Sequence, residues 1–233
     1  MNKNISVFIT AWDNEKYLKE CLDSVLYQDI DPDYEILLGI DNCEKTKEKF
    51  IELRNANTDY NRIKAYYMKE NKGTYITSNT LISLASNEVL LRFDSDDVMV
   101  TNMLSVIYNN ICDYDLLKFR CAAFTDDITI NTPSRKGYFP DGVCAFTNTI
   151  YNMLGGYRPW RCAADSDFLI RMSYITKKVD KINALLFYRR VHVDSLTTKK
   201  DTCFGSDYRE NCRKAIIHKF ITIKPEITAF EII

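Results

Sequence analysis

The chain has 233 residues, 46% hydrophobic and 27% charged, which suits one substantial core plus at most a small extension. Its 31 basic and 32 acidic side chains are interspersed and leave a net charge of −1, which argues against a nucleic-acid-binding face. No apolar run approaches the roughly 18 residues that a membrane span needs.

Met1-Asn2-Lys3-Asn4 reads as leading straight into a strand, not into a signal peptide. The eight cysteines are scattered, without a C-x-x-C pair, so a structural zinc site is not expected. Several replace apolar residues, as free thiols do in a core. The expected compartment is therefore reducing and cytoplasmic.

Ser6 to Thr10 predicts a buried strand. Asp13 or Asn14 then opens a helix, with Tyr17, Leu18, Cys21, Leu22, Val25 and Leu26 at 3.6-residue spacing and Pro32 closing the unit. Glu35 to Ile40 predicts a second strand ending at Asp41, followed by a helix over Thr46 to Asn55. Ile63 to Met68 reads as a third strand, Asn71-Lys72-Gly73 as a turn, and Tyr75 to Ala85 as a helix. Strands alternating with helices predict an α/β fold with a mostly parallel sheet.

In the second half, Met103 to Ile111 predicts a helix and Asp115 to Phe124 a strand. Thr125 to Pro140 is polar and turn-rich, Val143 to Tyr151 looks extended, and Leu154-Gly155-Gly156-Tyr157 breaks the chain. Asp165 to Thr176 reads as a helix, Val179 to Arg190 as a strand, and Asp207 to Phe220 as an amphipathic helix.

The chemistry concentrates in Val89-Leu90-Leu91-Arg92-Phe93-Asp94-Ser95-Asp96-Asp97, a buried-strand pattern ending in three carboxylates. Such a cluster repels itself unless a cation sits there, and hard divalent ions such as Mg²⁺ or Mn²⁺ prefer carboxylate oxygens. Parallel sheets bind ligands at the carboxyl ends of their strands. There the tips Ala11-Trp12-Asp13, Asp41 and Asp94 to Asp97 supply an aromatic plate, a lone carboxylate and a metal site. A nucleotide diphosphate needs those three things.

The order of motifs resembles the family 2 glycosyltransferases of the GT-A fold. Ser6-Val7-Phe8-Ile9-Thr10-Ala11-Trp12-Asp13 is similar to their opening strand, and Tyr17-Leu18 through Gln28 to the following helix. Asn79, then Phe93-Asp94-Ser95-Asp96-Asp97, matches their N-x-G-L…D-x-D-D block. Leu154-Gly155-Gly156-Tyr157 and Asp165-Ser166-Asp167-Phe168-Leu169-Ile170-Arg171 match the later G-G-F and E-D-x-D-L-x-x-R blocks. Thr10, Trp12, Asp13, Ser78 and Ala164 depart from the usual residues, and the Q-x-x-R-W motif of processive members is absent.

The resemblance implies a GT-A domain over residues 1–200, with a nucleotide-binding half (1–98), an acceptor-binding half (99–200) and a C-terminal helical tail (201–233). It implies inverting transfer of a single sugar from a nucleotide-sugar, UDP-linked by preference, to a glycan, lipid-linked or protein hydroxyl. The donor would rest on Thr10, Ala11, Trp12, Asp41, Asn79, Asp94 and Ser95. Trp12 would stack on the base, Asp41 would read it, and Asp94 would contact the ribose or share the metal through water. Asp96 and His192 would ligate Mn²⁺ or Mg²⁺, Arg189 or Arg190 would help hold phosphate, and Asp165 would act as general base.

Each residue also has an ordinary structural reading. The D-x-D triplet forms turns in many proteins, Trp12 can pack in a core, and Asp41 and Asp165 can cap helices. Asp167 is the alternative acid, and His192 can be a surface residue. A catalytically inactive sugar-nucleotide binding module, a haloacid-dehalogenase-type phosphatase and a metal-dependent nucleotidyltransferase are the rival functions. The last normally opens with a Gly-rich basic loop, and Thr10-Ala11-Trp12-Asp13-Asn14 contains neither Gly nor Arg.

Overall fold

A computed structural model describes residues 4–29, 34–126 and 137–233. Pro32 and most of the turn-rich stretch after Thr125 lie outside them. The first half alternates strand and helix: β1 (Ile5–Ala11), α1 (Glu15–Leu26), β2 (Tyr34–Ile40), α2 (Glu44–Ala56), β3 (Ile63–Met68), α3 (Thr74–Leu84) and β4 (Val89–Asp94). These four strands are mutually parallel in the order β4-β1-β2-β3.

Strand alternation divides the apolar residues between the two faces of the sheet. Val7, Ile9, Ile36, Leu38, Leu91 and Phe93 face a core completed by Leu18 and Leu22 of α1 and Phe50 of α2. Phe8, Leu37 and Leu90 face the other core, against Tyr75, Leu81 and Ile82 of α3. Burial on both faces explains why these strands read as continuous apolar runs.

The second half extends the same sheet. It contains β5 (Val98–Met99), α4 (Met103–Asn110), β6 (Leu116–Phe124), β7 (Ala145–Thr147), α5 (Asn148–Leu154), α6 (Ala164–Ser173) and β8 (Val179–Arg190). β7 runs antiparallel between β4 and β6, and β8 lies parallel to β6, so one sheet spans both halves. The stretch 143–151, expected to be extended, is so only as far as Thr147. There the Thr147 hydroxyl accepts from the Ile150 N–H and caps α5.

The tail also departs from expectation. The helix predicted to Phe220 is α7 (Asp207–Lys214) and stops there, and the chain ends in β9 (Phe230–Ile232), antiparallel to β3 at the sheet edge. Tertiary partners replace the helical ones in between. Ile223 N–H donates to Leu154 O, and Thr228 N–H donates to the Thr80 hydroxyl. Residues 201–233 are thus only partly helical and complete the sheet.

The Gly-Gly step joins this tail to the core. Gly155 and Gly156 both have positive φ (74° and 81°), conformations that favour glycine. A Cβ at Gly155 would stand 1.6 Å from the Ile223 carbonyl oxygen, and one at Gly156 2.6 Å from the Tyr151 hydroxyl. Nearby, the fully buried Asp167 accepts from Arg171 Nε at 2.7 Å and Arg158 Nε at 3.0 Å. Arg171, equally buried, also donates from Nη1 to Leu154 O and from Nη2 to Gly156 O. Asp167 is therefore half of a buried ion pair that holds the loop before α6.

Removing one partner of a buried pair leaves an uncompensated charge. Asp167→Ala is expected to cost about 3–5 kcal/mol, a Tm fall of roughly 6–20 °C for a chain this long. Thermal unfolding monitored by circular dichroism checks it.

Candidate active site

The parallel register aligns three strand ends. Thr10 lies opposite Gly39 on one side and Asp94 on the other, so the residues after β1, β2 and β4 share one edge of the sheet. The connection runs outward to β2 on one side of β1 and to β4 on the other, which is the switch point where open α/β sheets bind ligands. A cavity of about 730 Å³ opens there, lined by Thr10, Ala11, Trp12, Asp41, Asp94, Ser95, Asp96 and His192 among others. That volume lies within the roughly 300–1,000 Å³ of small-molecule sites.

One wall is built from the first two strand ends. The Thr10 and Thr74 hydroxyls share a hydrogen bond of 2.6 Å. Trp12 is 44% exposed, and the Lys199 ammonium sits 4.6 Å from its ring centroid. Asp41 is buried, and its carboxylate accepts from the Lys72 and Gly73 N–H groups and the Thr77 hydroxyl. Of about four acceptor positions on a carboxylate, three are taken, and the residue lines the cavity as well as ordering the turn before α3.

The floor is the turn after β4. Asp94 Oδ1 accepts from Arg92 Nη2 at 2.8 Å, while Arg92 Nη1 donates to Gly142 O. Burial pushes the Asp94 carboxyl above its usual range, with Arg92 pulling it back and Asp96 and Asp165 adding to the rise. Ser95 is buried and accepts from the Asn14 amide at 2.6 Å, which ties the turn to the start of α1. Asp96 Oδ2 lies 2.9 Å from His192 Nε2. Asp97 points inward, where burial and the neighbouring Asp96 and Asp94 raise its carboxyl well above normal, and the Arg190 N–H donates to it.

Asp165 opens α6 beside this floor. Its Oδ1 accepts from the Ser166 N–H. Oδ2 and the Asp94 Oδ2 both border Gly142, where a Cβ would stand 3.5 and 3.7 Å from them. The absence of a side chain at Gly142 keeps that gap open. The Tyr75 phenol is pushed far up by burial and by the facing Asp165 carboxylate.

Of the expected donor contacts, Asn79 is placed elsewhere, and Arg190 lines the cavity but is committed to protein partners. Asn79 is buried and away from the cavity lining. Its amide donates to Tyr157 O and Glu226 O and accepts from the Tyr151 hydroxyl and Tyr157 N–H, so it knots α3, the Gly-Gly loop and the tail together. Arg190, offered as a phosphate ligand, has its guanidinium bound to Asp96 O, Asp126 and Glu20. Arg189 lines the cavity and donates to Tyr138 and Thr197.

Nothing in the sequence assigned a role to Arg92, Tyr75 or the segment from Asp194 to Thr202, most of which lines the cavity. An arginine inside an apolar strand was a signal for the first. Nothing in the polar segment announced the last.

The family model described as glycosyl transferase family 2 matches residues 6–175. The chain belongs to glycosyl transferase family 2. This glycosyltransferase domain is 29% identical over 122 residues to Glycosyltransferase GlyG of Streptococcus pneumoniae serotype 4, a match covering 49% of this chain and 37% of that protein. Among solved structures, it resembles the 1–349 segment of S. aureus TarS in complex with UDP-GlcNAc. The TM-score there is 0.68 at 17% identity, with 81% of this chain and 59% of that one covered. It also resembles the mannosyltransferase PcManGT of Pyrobaculum calidifontis in complex with GDP-Man and Mn²⁺, with a TM-score of 0.64, 15% identity, and 82% and 58% coverage. These structural likenesses support the GT-A fold. The domain spans little more than a third of the curated relative and about three fifths of these solved chains.

Asp41→Ala would leave two N–H groups and a hydroxyl without their acceptor. It is expected to cost about 1–3 kcal/mol, a Tm fall of roughly 2–12 °C, visible by thermal unfolding before any ligand is added.

Proposed function

We propose that this domain catalyses inverting, metal-assisted transfer of a single sugar from a nucleotide-sugar, UDP-linked by preference, to a hydroxyl acceptor. The observation that carries the reading is the meeting of Asp96 and His192 at 2.9 Å on the floor of a cavity also lined by Trp12, Asp41 and Asp94. The likeness to structures holding UDP-GlcNAc and GDP-Man supports a nucleotide-sugar as the ligand.

The Asp96 carboxylate oxygen is the kind of donor that Mn²⁺ or Mg²⁺ prefers, and the His192 imidazole nitrogen faces it. Among the described residues no group of three or more His, Cys, Asp and Glu side chains is arranged to hold a metal. Asp96 and His192 are the residues that would hold the ion. The bound ion supplies Lewis-acid stabilisation to the leaving diphosphate.

The chain's own groups do the rest. Trp12 offers a half-open ring for the base, and Asp41 holds one remaining acceptor position for a base N–H. Asp94, fixed on one oxygen by Arg92, presents the other to the ribose. Asp165 takes the proton of the acceptor hydroxyl as that oxygen bonds to the anomeric carbon. The bond from that carbon to the diphosphate oxygen breaks, and the electron pair leaves with the diphosphate. One displacement inverts the anomeric centre.

A thermal-shift panel of nucleoside diphosphates and their sugars, with and without Mn²⁺, tests the donor site. A ligand at about 100 times its Kd adds about 2.7 kcal/mol, or roughly 5–10 °C here. A Mn²⁺-dependent shift with uridine nucleotides, lost in Asp96→Ala, is expected. No shift with any nucleotide would overturn the nucleotide-sugar reading, whether catalytic or not. Asp165→Asn is expected to keep the shift while transfer falls by roughly 10²–10⁴. Loss of donor affinity at an unchanged maximal rate would place the base elsewhere.

A further inference from the structure

We infer that Arg190 is a positioning residue for the Asp96–His192 pair, holding the two side chains in register before any ion arrives; this rests on the metal-assisted reading above. Arg190 ends β8 and is 5% exposed. Its backbone N–H donates to Asp97 Oδ1 at 2.9 Å, and its Nε donates to the Asp96 carbonyl oxygen at 3.0 Å. Main chain and side chain of one residue thus grip both halves of the Asp96-Asp97 turn. The rest of the guanidinium is anchored from outside, by Asp126 Oδ1 at 2.6 Å and by Glu20 of α1.

The same residue sets the place of His192, two positions on. Arg190 Cζ lies 4.5 Å from the Tyr17 ring centroid, and the His192 ring packs 4.8 Å from that same ring. Tyr17 comes from α1, as does Glu20. Helix α1, the end of β8 and the turn after β4 therefore meet at one guanidinium. The two would-be ligands come from positions 96 residues apart and are rigid relative to each other through it.

Charge alone predicts the opposite of positioning, which makes the inference sharp. A guanidinium beside a cation site repels the ion, so deleting it should tighten Mn²⁺ binding by Coulomb's law. Removing an outer residue that orients metal ligands instead weakens affinity, typically 10–100-fold.

The test measures Mn²⁺ binding directly, by electron paramagnetic resonance of the free ion in titrations of the whole chain with UDP and no acceptor. UDP affinity in EDTA is measured alongside. Arg190→Gln is expected to bind Mn²⁺ 10–100-fold more weakly with metal-free UDP affinity unchanged. Unchanged or tighter Mn²⁺ binding in folded Arg190→Gln overturns the inference. If that variant does not fold, Tyr17→Leu decides without a change of charge: weaker Mn²⁺ binding supports the inference and wild-type binding overturns it. Wild-type protein that takes up no Mn²⁺ with UDP overturns the metal-assisted reading itself, and this inference with it.

Discussion

Three carboxylates crowd the end of β4, and a fourth, Asp165, stands across Gly142 from the first of them. Like charges this close destabilise a fold unless each is answered. Asp94 is answered by Arg92 from its own strand, Asp96 by His192, and Asp97 by the Arg190 backbone N–H. Much of the second half serves this end. β8 runs beside β6 so that its last residues reach the turn, and β7 bridges β4 to β6. The acidic turn is tolerable because the fold brings hydrogen-bonding partners to each carboxylate, and the same arrangement leaves Asp96 and His192 facing the cavity.

The two faces of the sheet divide the labour. Helix α1 packs on one face and delivers Asn14 to Ser95 and Tyr17 to His192. Helix α3 packs on the other, and its N-terminal turn meets Thr10 and Asp41. Further along α3, Asn79 and Thr80 hold the tail, whose last strand closes the sheet beside β3. The cavity wall at the ends of β1 and β2 and the chain's far end are therefore packed on the same helix.

Much of this was legible beforehand. The boundaries of β3 and β8 follow the apolar run and the flanking polar residues, and Asp41, Asp94, Asp96 and His192 line one cavity, with Asp165 outside that lining beside Gly142. Two readings failed for a shared reason. Asn79 sits within a recognised motif, yet motif membership does not say whether a side chain faces a ligand or its own backbone. The tail has helical spacing up to Phe220, yet the helix stops at Lys214, and past Phe220 the backbone is tied to Leu154 and Thr80 instead.

What the sequence by itself determined is the class of the fold and the kinds of group at its strand ends, because hydrophobic period and local carboxylate spacing are short-range properties. Only the tertiary structure decided which of those groups meet. Asp96 finds His192 across 96 residues, Asp167 is claimed by Arg171 and Arg158, and Arg190 is used up on the turn it supports. Each outcome depends on which partner reaches a buried polar group first in space, and a buried polar group must be paired. That competition is settled by the packing of the sheet, since the winning partners lie far apart in the chain.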